Sequence, residues 1–554
     1  MSRPGAGHDG PDDALVEALR RLLQSRLGRG VRRIDTHVSW VLLDGEHAWK
    51  IKKPVRLGFL DFSRIDVRRR CCEEELRLNR RLAPSIYLDV LPVRGSVASP
   101  LLAGAPDRDG QRDGEAIEYV LRMKQFAPGS LLSERLAAGR LLPDTIDRLA
   151  RRLADFQAAA PQAPADSDFG SAALVRATTT GVLDGIASQA QAPRAEGLRD
   201  WCESRATDLA SCFESRKARG RVREGHGDLH LSNLVVLEDE VTAFDCIEFD
   251  PGLRWIDVVC DIAFITMDLR AHGRRDLAFR FLDRWLEAGG DHGGLAVLRY
   301  YEVYRALVRA LVAGIRRAQD DAPSRATGAS GPGHEPDYLG AAQDLARECG
   351  SRLLITHGLS GSGKSFVSAQ LLEQAGAIRL RSDVERKRLF GLAALERSEP
   401  HARDTVYGPD ATRRTYAQLR DAARIALQAG YPVIVDAAFL RAAERDDFRA
   451  LARELRVPFG ILDCRAEPAL LRERVRARSA RGDDASEADI AVLERQLETH
   501  EGLRPDELAC AIGVEGALPP DAAALARRWL DSDTVPAGHQ AGDGPFSPAA
   551  PRRP

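Results

Sequence analysis

One stretch in the second half of the chain has the composition of a loop that binds phosphate groups. It follows the apolar run at 353–356 and matches the pattern G-x-x-x-x-G-K-[ST]. Glycines let backbone N–H groups approach phosphate oxygens, a lysine neutralises the β- and γ-phosphates, and a serine hydroxyl ligates Mg²⁺. The spacing therefore predicts that ATP or GTP binds here. The predicted nucleotide-binding residues are Gly358, Ser360, Gly361, Ser362, Gly363, Lys364 and Ser365, of which Ser365 also ligates the metal.

Two carboxylates in the same half lie at the ends of predicted strands. Asp436 ends the apolar strand at 433–435, where it is placed to hold the magnesium shell. Asp383 follows the strand that ends at Arg381, where a carboxylate can take the proton from an acceptor hydroxyl while Arg386 grips the acceptor. The alternatives are an ordinary strand-end aspartate for Asp436 and helix capping for Asp383.

An arginine-rich helical stretch follows the last of these strands. Arg474 and Arg478 are four residues apart, and Arg481 comes one turn later, before a polar break at 482–484. Arginines on a mobile segment suit transition-state charge and lid closure, so we expect Arg478 to contact the nucleotide. A solvated basic face is the alternative.

The first half carries a different set of residues for phosphoryl transfer. In the stretch H-G-D-L-H-L-S-N, Asp228 and Asn233 are five residues apart, as in the kinase catalytic loop H-R-D-x-x-x-x-N. The aspartate of such a loop orients and deprotonates the acceptor hydroxyl, and the asparagine holds a magnesium ion. Two apolar runs joined by an acidic turn then lead to Asp245, which is predicted to be a second metal-binding carboxylate.

A lysine strand is expected upstream of this loop. Lys50, in the run His-Ala-Trp-Lys, is predicted to pair with the α- and β-phosphates, and Lys52 on the same strand face is the alternative. On the following helix, Glu75 shares a face with apolar residues, so it is the predicted partner of the lysine, ahead of Glu73 and Glu74. A solvated charge run is the alternative for this helix.

The catalytic stretch of the first half resembles the aminoglycoside and choline phosphotransferase superfamily more than the protein kinases. HGD stands in place of HRD, and Asp245 is followed by Cys-Ile-Glu in place of Phe-Gly. The resemblance implies a small-molecule acceptor, and it implies that Asp261 is a structural carboxylate that supports the catalytic loop. The turn before the lysine strand has hydroxyl groups at Thr36 and Ser39 and lacks the G-x-G-x-x-G pattern of protein kinases.

The second half resembles the small P-loop kinases grouped with AAA-type ATPases, such as the gluconate, adenylyl-sulfate and zeta-toxin-like kinases, over about residues 351–530. The order of the two halves, with the stretches WKIKKPVRLGFLDFS and CEEELRLNRRLAP, resembles a bacterial family of fused proteins. That family is described as bifunctional aminoglycoside phosphotransferase and ATP-binding protein. The resemblance implies ATP-dependent phosphotransfer to an alcohol group, without implying that the acceptor is an antibiotic.

The elements that must position these residues follow different orders in the two halves. In the first half, a helix at 14–27 precedes strands at 39–43 and 47–52, a helix at 67–82, strands at 87–93 and 118–123, and then mainly helices. That order predicts a bilobal, protein-kinase-like α+β domain. In the second half, strands at 352–356, 377–381, 432–435 and 458–463 alternate with helices. This alternation predicts a parallel α/β sheet with ligands at the carboxyl ends of its strands.

Composition divides the chain into two domains, as its length of 554 residues requires. A stretch rich in Gly, Pro, Ser and Asp indicates a linker at 316–350, and a similar stretch indicates a disordered tail at 533–554. The predicted domains are a phosphotransferase-like domain at 1–315 and a P-loop kinase domain at 351–532.

The overall composition disfavours several classes of protein. The net charge of −2 provides no positive field for a phosphate backbone, so nucleic acid is not expected as a partner. Nine cysteines without a CxxC pair indicate reduced thiols. Neither an export signal nor an apolar run of about 18 residues is found, so we expect a cytoplasmic protein without a membrane span. The expected cofactors are ATP and Mg²⁺, and the expected partner is a hydroxyl-bearing small molecule.

Two kinds of function are compatible with these residues. In one, both halves are phosphotransferases; in the other, the first half is a nucleotide-binding sensor that regulates the P-loop half. The intact Asp228, Asn233 and Asp245 favour the enzyme, since a binding module needs no catalytic base. A kinase that processes nucleic-acid ends is disfavoured by the neutral charge and by the absence of an aromatic-basic stripe. Protein partners and oligomeric state stay open.

Overall fold

The computed structural model describes residues 11–57, 60–102, 115–189, 192–238, 240–320, 335–398, 403–481, 484–516 and 520–532. Contacts divide the chain into two compact units, the first ending at Glu348 and the second beginning at Cys349. Within the described ranges, no helix is long and apolar enough to cross a membrane.

The first unit combines a sheet lobe with a helical lobe. Its strands are β1 (Arg32–Asp35), β2 (Ser39–Leu43), β3 (His47–Lys52), β4 (Arg56–Leu57), β5 (Leu60–Asp61), β6 (Tyr87–Gly95), β7 (Pro100–Leu102), β8 (Glu118–Lys124), β9 (Val222–Glu224), β10 (Leu234–Leu237), β11 (Glu240–Ala243) and β12 (Trp255–Asp257). Its helices are α1 (Pro11–Leu27), α2 (Ile65–Asn79), α3 (Leu132–Ala137), α4 (Pro143–Ala159), α5 (Ala172–Ala187), α6 (Ala192–Asp208), α7 (Ala210–Ala218), α8 (Val258–Ala271), α9 (Arg275–Gly289), α10 (Leu295–Asp320) and α11 (Tyr338–Arg347). Short 3-10 turns span Leu231–Asn233, Pro251–Leu253 and His292–Gly294.

The sheet lobe positions the two candidate lysines through the alternation of β3. Strands β1, β2, β3, β8, β6 and β7 form one antiparallel sheet in that spatial order. Trp49 and Ile51 belong to the apolar core that leucines of α1 help to form. Because successive side chains of a strand point to opposite faces, Lys50 and Lys52 lie on the other face, toward α2.

The helical lobe is built around α8, in which every residue from Val258 to Leu269 is buried. Helices α9, α10 and α11 pack against α8. The apolar face of α11 buries Tyr338 and Leu345 among other residues. The prediction of a linker at 316–350 is therefore wrong for residues 338–348, because α11 completes the core of this lobe. The residues of that stretch at 321–334, like the expected tail at 533–554, lie outside the described residues.

The second unit is a five-stranded parallel sheet with its connecting helices. Its strands are β13 (Arg352–His357), β14 (Ile378–Arg381), β15 (Pro432–Asp436), β16 (Phe459–Arg465) and β17 (Ala511–Glu515). Its helices are α12 (Lys364–Ala375), α13 (Ser382–Leu389), α14 (Arg403–Val406), α15 (Pro409–Gln428), α16 (Ala442–Leu455), α17 (Pro468–Arg481), α18 (Ile490–Thr499), α19 (Pro505–Leu508) and α20 (Ala522–Leu530). The spatial order is β14-β15-β13-β16-β17, and every neighbouring pair is parallel.

Parallel strands bring the predicted site residues of the second unit to one edge of the sheet. The phosphate-loop sequence joins β13 to α12, Asp383 lies in the first turn of α13 directly after β14, and Asp436 ends β15. The predicted fold class is thus confirmed for both halves. Strand β17 was not predicted, because Ile512 and Val514 are the buried residues in its five and no apolar run marks it.

Candidate active sites

In the first unit, an ion-pair network joins two lysines of β3 to a glutamate of α2. Glu75 is fully buried, and its carboxylate oxygens accept hydrogen bonds from Lys50 Nζ at 2.8 Å and from Lys52 Nζ at 2.6 Å. Burial by itself raises the pKa of Glu75, but the two ammonium charges outweigh it and lower the pKa to about 2. The structure brings together Lys50 and Glu75, the pair expected from the sequence, and places Lys52 on the same carboxylate.

Lys50 also contacts Asp245, the carboxylate that follows the β10–β11 hairpin. Lys50 Nζ lies 2.6 Å from Asp245 Oδ1. The end of the hairpin is fixed to the stretch at 226–233, since Phe244 N donates to the carbonyl of Asn233 at 3.0 Å. Asp245 has φ +64°, which is unfavourable for a residue with a Cβ, and its N–H donates to the Tyr87 hydroxyl at 3.0 Å. The surrounding contacts therefore hold this carboxylate in a conformation that it would not adopt by itself.

The stretch at 226–233 forms a loop in which Asp228 and Asn233 are in direct contact. Asn233 Nδ2 donates to Asp228 Oδ2 at 2.9 Å and to the Asp228 carbonyl at 3.0 Å, so its amide oxygen is left for another ligand. His230 Nε2 lies 3.4 Å from the same carboxylate. Burial by itself raises the pKa of Asp228, but His230 and the charge of Arg309 outweigh it and lower the pKa, which keeps the carboxylate ionised.

Asp261 of α8 holds this loop in place. Its two carboxylate oxygens accept hydrogen bonds from His226 N and Gly227 N, both at 2.9 Å. Gly227 has φ +85°, and a Cβ added to it would lie 2.6 Å from the carbonyl oxygen of Leu253, so glycine is required here. Asp261 is fully buried and contacts backbone groups of the loop, which is the structural position that the resemblance implied.

Two carboxylates of this site were not predicted from the sequence. Glu248 Oε1 lies 2.5 Å from Lys52 Nζ, and burial raises the pKa of Glu248. Asp268 Oδ2 accepts a hydrogen bond from Leu231 N in the loop at 226–233, at 2.8 Å. Glu248 could have been expected from the sequence, because it lies three residues after Asp245. Two lysines on one strand face need two carboxylates as partners. No sequence pattern indicated Asp268, since it lies 37 residues from its partner Leu231.

In the second unit, the residues at 358–365 form a tight loop that holds one hydroxyl without a hydrogen-bond partner among the described residues. Gly358 has φ +142°, and a Cβ on it would lie 2.4 Å from the carbonyl oxygen of Cys464. Lys364 Nζ donates to the carbonyls of Gly358 at 2.8 Å and Leu359 at 2.9 Å, and burial lowers the pKa of this lysine. The Ser362 hydroxyl is buried without a hydrogen-bond partner among the described residues. A phosphate oxygen fits this unmatched hydroxyl.

The remaining predicted residues of this half line one cleft of about 1850 Å³ together with the loop. These residues are Ser365, Asp383, Asp436 and Arg478. Asp436 is buried and accepts a hydrogen bond from Ser368 Oγ at 3.1 Å, while Arg381 Nε lies 3.7 Å from the same oxygen. The structure therefore brings the predicted set together at the carboxyl edge of the sheet.

Two arginines of the cleft are engaged by protein carbonyl and hydroxyl groups. Arg478 Nη2 donates to the carbonyl of Ala488 at 2.8 Å. Arg386 is buried and donates to the carbonyl of Val406 and to the Thr412 hydroxyl, both at 3.2 Å. These contacts hold Arg386 in the wall of the cleft, and its contact with an acceptor stays a prediction.

Gln496 of α18 is a further residue of this site that the sequence did not predict. Its Oε1 accepts a hydrogen bond from Ser360 N at 2.9 Å, so the glutamine side chain occupies an amide of the loop that phosphate would otherwise bind. The two residues are 136 positions apart, and no motif surrounds Gln496.

The residues that could hold a metal ion suit Mg²⁺ better than a metal that is bound by protein side chains alone. Among the described residues, no group of three or more His, Cys, Asp or Glu side chains could hold a metal ion. Each half instead offers one carboxylate with one neutral oxygen, Asp245 with Asn233 and Asp436 with Ser365. Mg²⁺ is typically bound by one or two carboxylates plus substrate phosphates, so these residues fit that ion.

Family models match both halves of the chain. Residues 58–307 match the model described as phosphotransferase enzyme family, and residues 353–503 match the model described as AAA domain. An uncharacterised protein of Mycobacterium tuberculosis is 29% identical over 481 residues, which cover 85% of this chain and 91% of the relative. An uncharacterised protein of Mycobacterium bovis matches to the same extent.

Two solved structures match parts of the chain. A choline/ethanolamine kinase family protein from Mesorhizobium loti is 11% identical, with coverage of 60% of this chain and 92% of that chain and a TM-score of 0.35. A sugar kinase from a Janibacter species is 22% identical, with coverage of 34% and 99% and a TM-score of 0.26.

The fold, the loop geometry and the family match define the first unit as a phosphotransferase-family domain of the protein-kinase-like type. The second unit is a P-loop domain of the AAA type. The chain is thus a two-domain fusion in which both halves carry kinase-like domains.

Proposed function

We propose that each unit transfers the γ-phosphoryl group of ATP to a hydroxyl group of a small molecule. The contact of Lys50 with both Asp245 and Glu75 carries this proposal. This contact joins Lys50, the group expected at the α- and β-phosphates, to Asp245, the carboxylate expected at the metal. Glu75, the other partner of Lys50, is fully buried.

In the first unit, Asp228 would be the group that accepts the acceptor proton. As the acceptor oxygen forms its bond to the γ-phosphorus, the bond from that phosphorus to the β-bridging oxygen breaks, ADP leaves, and the hydroxyl proton passes to Asp228. The lowered pKa keeps Asp228 ionised, so it is ready to accept a hydrogen bond from the hydroxyl. Its contact with Asn233 Nδ2 fixes the direction of the carboxylate.

Asn233 and Asp245 are the residues that would hold Mg²⁺ in the first unit. A bound magnesium ion neutralises charge on the β- and γ-phosphate oxygens. Asp245 is partly exposed, and Lys50 holds its Oδ1, so the carboxylate is oriented before any ligand arrives. Lys50 in turn stays protonated, because burial is outweighed by the charges of Asp245 and Glu75, which raise its pKa.

In the second unit, the loop at 358–365 would bind the triphosphate of ATP. Lys364 would exchange its two backbone carbonyl partners for the β- and γ-phosphates, and Ser365 with Asp436 would hold Mg²⁺. Asp383 would accept the proton from the acceptor hydroxyl, and Arg478 would contact the transferring phosphoryl group. Gln496 must release the Ser360 amide before that amide can bind phosphate.

An assay on the full chain tests this proposal. Wild type, Asp228→Asn, Lys364→Ala and the double variant are incubated with Mg-ATP and a library of alcohol metabolites, and ADP and phosphorylated products are measured. We expect two separable product sets, one lost in Asp228→Asn and the other in Lys364→Ala. If wild type and the double variant give the same products, neither site is the catalyst. If Lys364→Ala alone abolishes every product, the first unit is better described as a nucleotide-binding sensor.

A further inference from the structure

A small cavity in the helical lobe of the first unit is lined by Arg305, whose Nη2 has no hydrogen-bond partner among the described residues. It has a volume of about 40 Å³, enough for a carboxylate-sized group or a few water molecules. The residues that matter for the argument are Thr178 of α5, Leu253 of the 3-10 turn, Trp255 of β12, and Tyr301, Tyr304 and Arg305 of α10. The cavity thus lies where α5, α10 and that turn meet.

Arg305 supplies a buried guanidinium to this cavity. Its side chain is 2% exposed, its Nε donates to the carbonyl of Cys260 at 3.1 Å, and its Nη2 is buried without a hydrogen-bond partner among the described residues. Within the described part of the chain, Arg305 forms no ion pair with a carboxylate; its guanidinium lies over the rings of Phe264 at 4.7 Å and Tyr304 at 5.2 Å. A buried cation that keeps an unused donor calls for an anionic ligand.

Two tyrosine hydroxyls add to the donors at this cavity. Tyr301 and Tyr304 are 3% and 7% exposed, and neither hydroxyl forms a hydrogen bond to another described residue. Burial raises the pKa of Tyr304 to about 12, so its hydroxyl keeps the proton that it can donate. A guanidinium N–H and two phenol O–H groups together match the oxygens of one carboxylate.

The carboxylate that also borders the cavity accepts hydrogen bonds from donors other than Arg305. Asp257 accepts hydrogen bonds from Arg216 Nε at 2.6 Å and Arg216 Nη2 at 2.8 Å, and its Oδ1 also accepts from Val259 N at 2.9 Å. Its oxygens are therefore engaged by Val259 N and by Arg216, whose Nη2 also donates to Asp291 Oδ2 at 2.7 Å.

The cavity and the catalytic loop share structural neighbours. Gly225 N, directly before the loop, donates to the carbonyl of Arg254 at 2.8 Å, and the turn that contains Leu253 packs against Gly227. On the other side, the Phe264 ring contacts both the Arg305 guanidinium and the ring of His230 at 5.9 Å. An anion held by Arg305 is thus bound by the same elements that position Asp228.

We propose that this cavity binds the carboxylate of the acceptor, so that the first unit phosphorylates hydroxy acids. The proposal rests on the phosphoryl transfer proposed above and names its substrate class. The small volume fits a planar carboxylate, and the buried guanidinium disfavours cationic acceptors such as amino sugars or choline. The reaction is the transfer already written, with the acid's hydroxyl oxygen as the group that forms the new bond to phosphorus.

The test uses the full chain carrying Lys364→Ala, which silences the loop of the second unit. The probes are glycolate, lactate, glycerate and 3-hydroxybutyrate, each compared with its primary amide, together with choline as a cationic alcohol. We expect phosphorylation of at least one acid, with kcat/KM at least 100-fold above that of its amide. Preference for an amide or for choline would overturn the proposal while leaving phosphoryl transfer in place.

Variants of the cavity separate ligand binding from folding. Tyr304→Phe removes one donor, and we expect KM for the acid to rise about 10-fold or more with kcat nearly unchanged, because hydrogen bonds to charged groups are the strong ones. Tyr300→Phe is the matched control, since Tyr300 lies on the same helix but donates to Thr179 Oγ1 at 3.0 Å and does not line the cavity. Equal KM values for the two variants and wild type would overturn the subsite.

A binding measurement distinguishes failure of the proposed carboxylate site from failure of the proposed function. Calorimetric titration of the four acids needs no turnover, so it is carried out on the Lys364→Ala chain and on the same chain with Arg305→Lys or Arg305→Met. If no acceptor is phosphorylated but an acid binds and Arg305→Met removes the binding, the function fails and the carboxylate site stands. If no acid binds to a chain that is folded by circular dichroism, the carboxylate site is wrong.

Discussion

The hydroxyl of Tyr338 donates a hydrogen bond of 2.8 Å to Oδ1 of Asp268, whose Oδ2 accepts the amide of Leu231 at 2.8 Å. Tyr338 begins α11, which lies within the stretch at 316–350 that was expected to be a linker, and Leu231 lies between Asp228 and Asn233 in the loop at 226–233. Both Tyr338 and Asp268 are buried. The last helix of the first unit therefore supports the loop that would perform its chemistry.

Tyr338→Phe should loosen that loop. Removing the hydroxyl leaves the buried Asp268 carboxylate with one fewer donor, so we expect the free energy of unfolding to fall by about 1–3 kcal/mol. The amide of Leu231 should exchange with deuterium faster than in wild type, measured on a peptide that spans the loop. Tyr407→Phe is a suitable control, because the Tyr407 hydroxyl is buried without a hydrogen-bond partner among the described residues. Unchanged exchange at Leu231 would contradict the coupling.

Glu75 should make stability depend on acidity. Its pKa falls from a usual 4.5 to about 2, because Lys50 and Lys52 outweigh the opposing effect of burial. At about 1.4 kcal/mol for each tenfold change in proton affinity, the ionised carboxylate stabilises the folded state by about 3 kcal/mol at neutral pH. A group with a lowered pKa loses this contribution as the pH falls from about 4.5 toward 2.

Urea denaturation of wild type and Glu75→Gln between pH 3 and pH 7 measures this effect. We expect Glu75→Gln to be less stable by about 3 kcal/mol at pH 7 and to lose less stability on acidification. The control is Glu73→Gln on the same helix, whose carboxylate makes an exposed pair with Arg69 at 2.8 Å. Parallel pH profiles for wild type and Glu75→Gln would rule out the ion-pair network as the source.

The substitutions Asp228→Asn and Asp245→Asn should impair phosphoryl transfer by the first unit in different ways. Asp228→Asn keeps the size of the side chain but cannot accept a proton, so we expect kcat of the first unit to fall roughly 10²–10⁴-fold with Mg-ATP binding nearly intact. Asp245→Asn should weaken Mg-ATP binding, and added Mg²⁺ should partly restore it. Calorimetric titration with Mg-ATP beside a transfer assay separates the two. Wild-type binding and transfer in both variants would remove the catalytic assignment.

Lys364→Ala should abolish the activity of the second unit without affecting nucleotide binding by the first. The lysine donates only to the carbonyls of Gly358 and Leu359 in the described structure, so its loss removes charge from the loop but no buried ion pair. We expect the melting temperature to change little and phosphotransfer by this unit to be lost. Lys50→Ala is the complementary control, because it removes the lysine of the other site. Full activity of the second unit in Lys364→Ala would contradict the assignment.

The sequence by itself determined the fold class and most of the candidate residues. Strands β2 and β3 were predicted at their observed limits, because alternating apolar residues and an Asp-Gly turn are local signals. The loop at 358–365 and the spacing of Asp228, Asn233 and Asp245 are local too. Glu75 was chosen among three adjacent glutamates by helical periodicity alone, and it is the one that contacts Lys50.

Only the tertiary structure decided which distant groups complete these sites. Glu248 reaches Lys52 across 196 positions, Gln496 reaches Ser360 across 136, and Tyr338 reaches Asp268 across 70. Such contacts depend on how helices and strands pack, and periodicity within one element carries no information about them. The unpartnered Nη2 of Arg305 likewise could not be predicted from the sequence. Whether a buried charge has a partner depends on its neighbours in space, which the neighbouring residues in the chain do not determine.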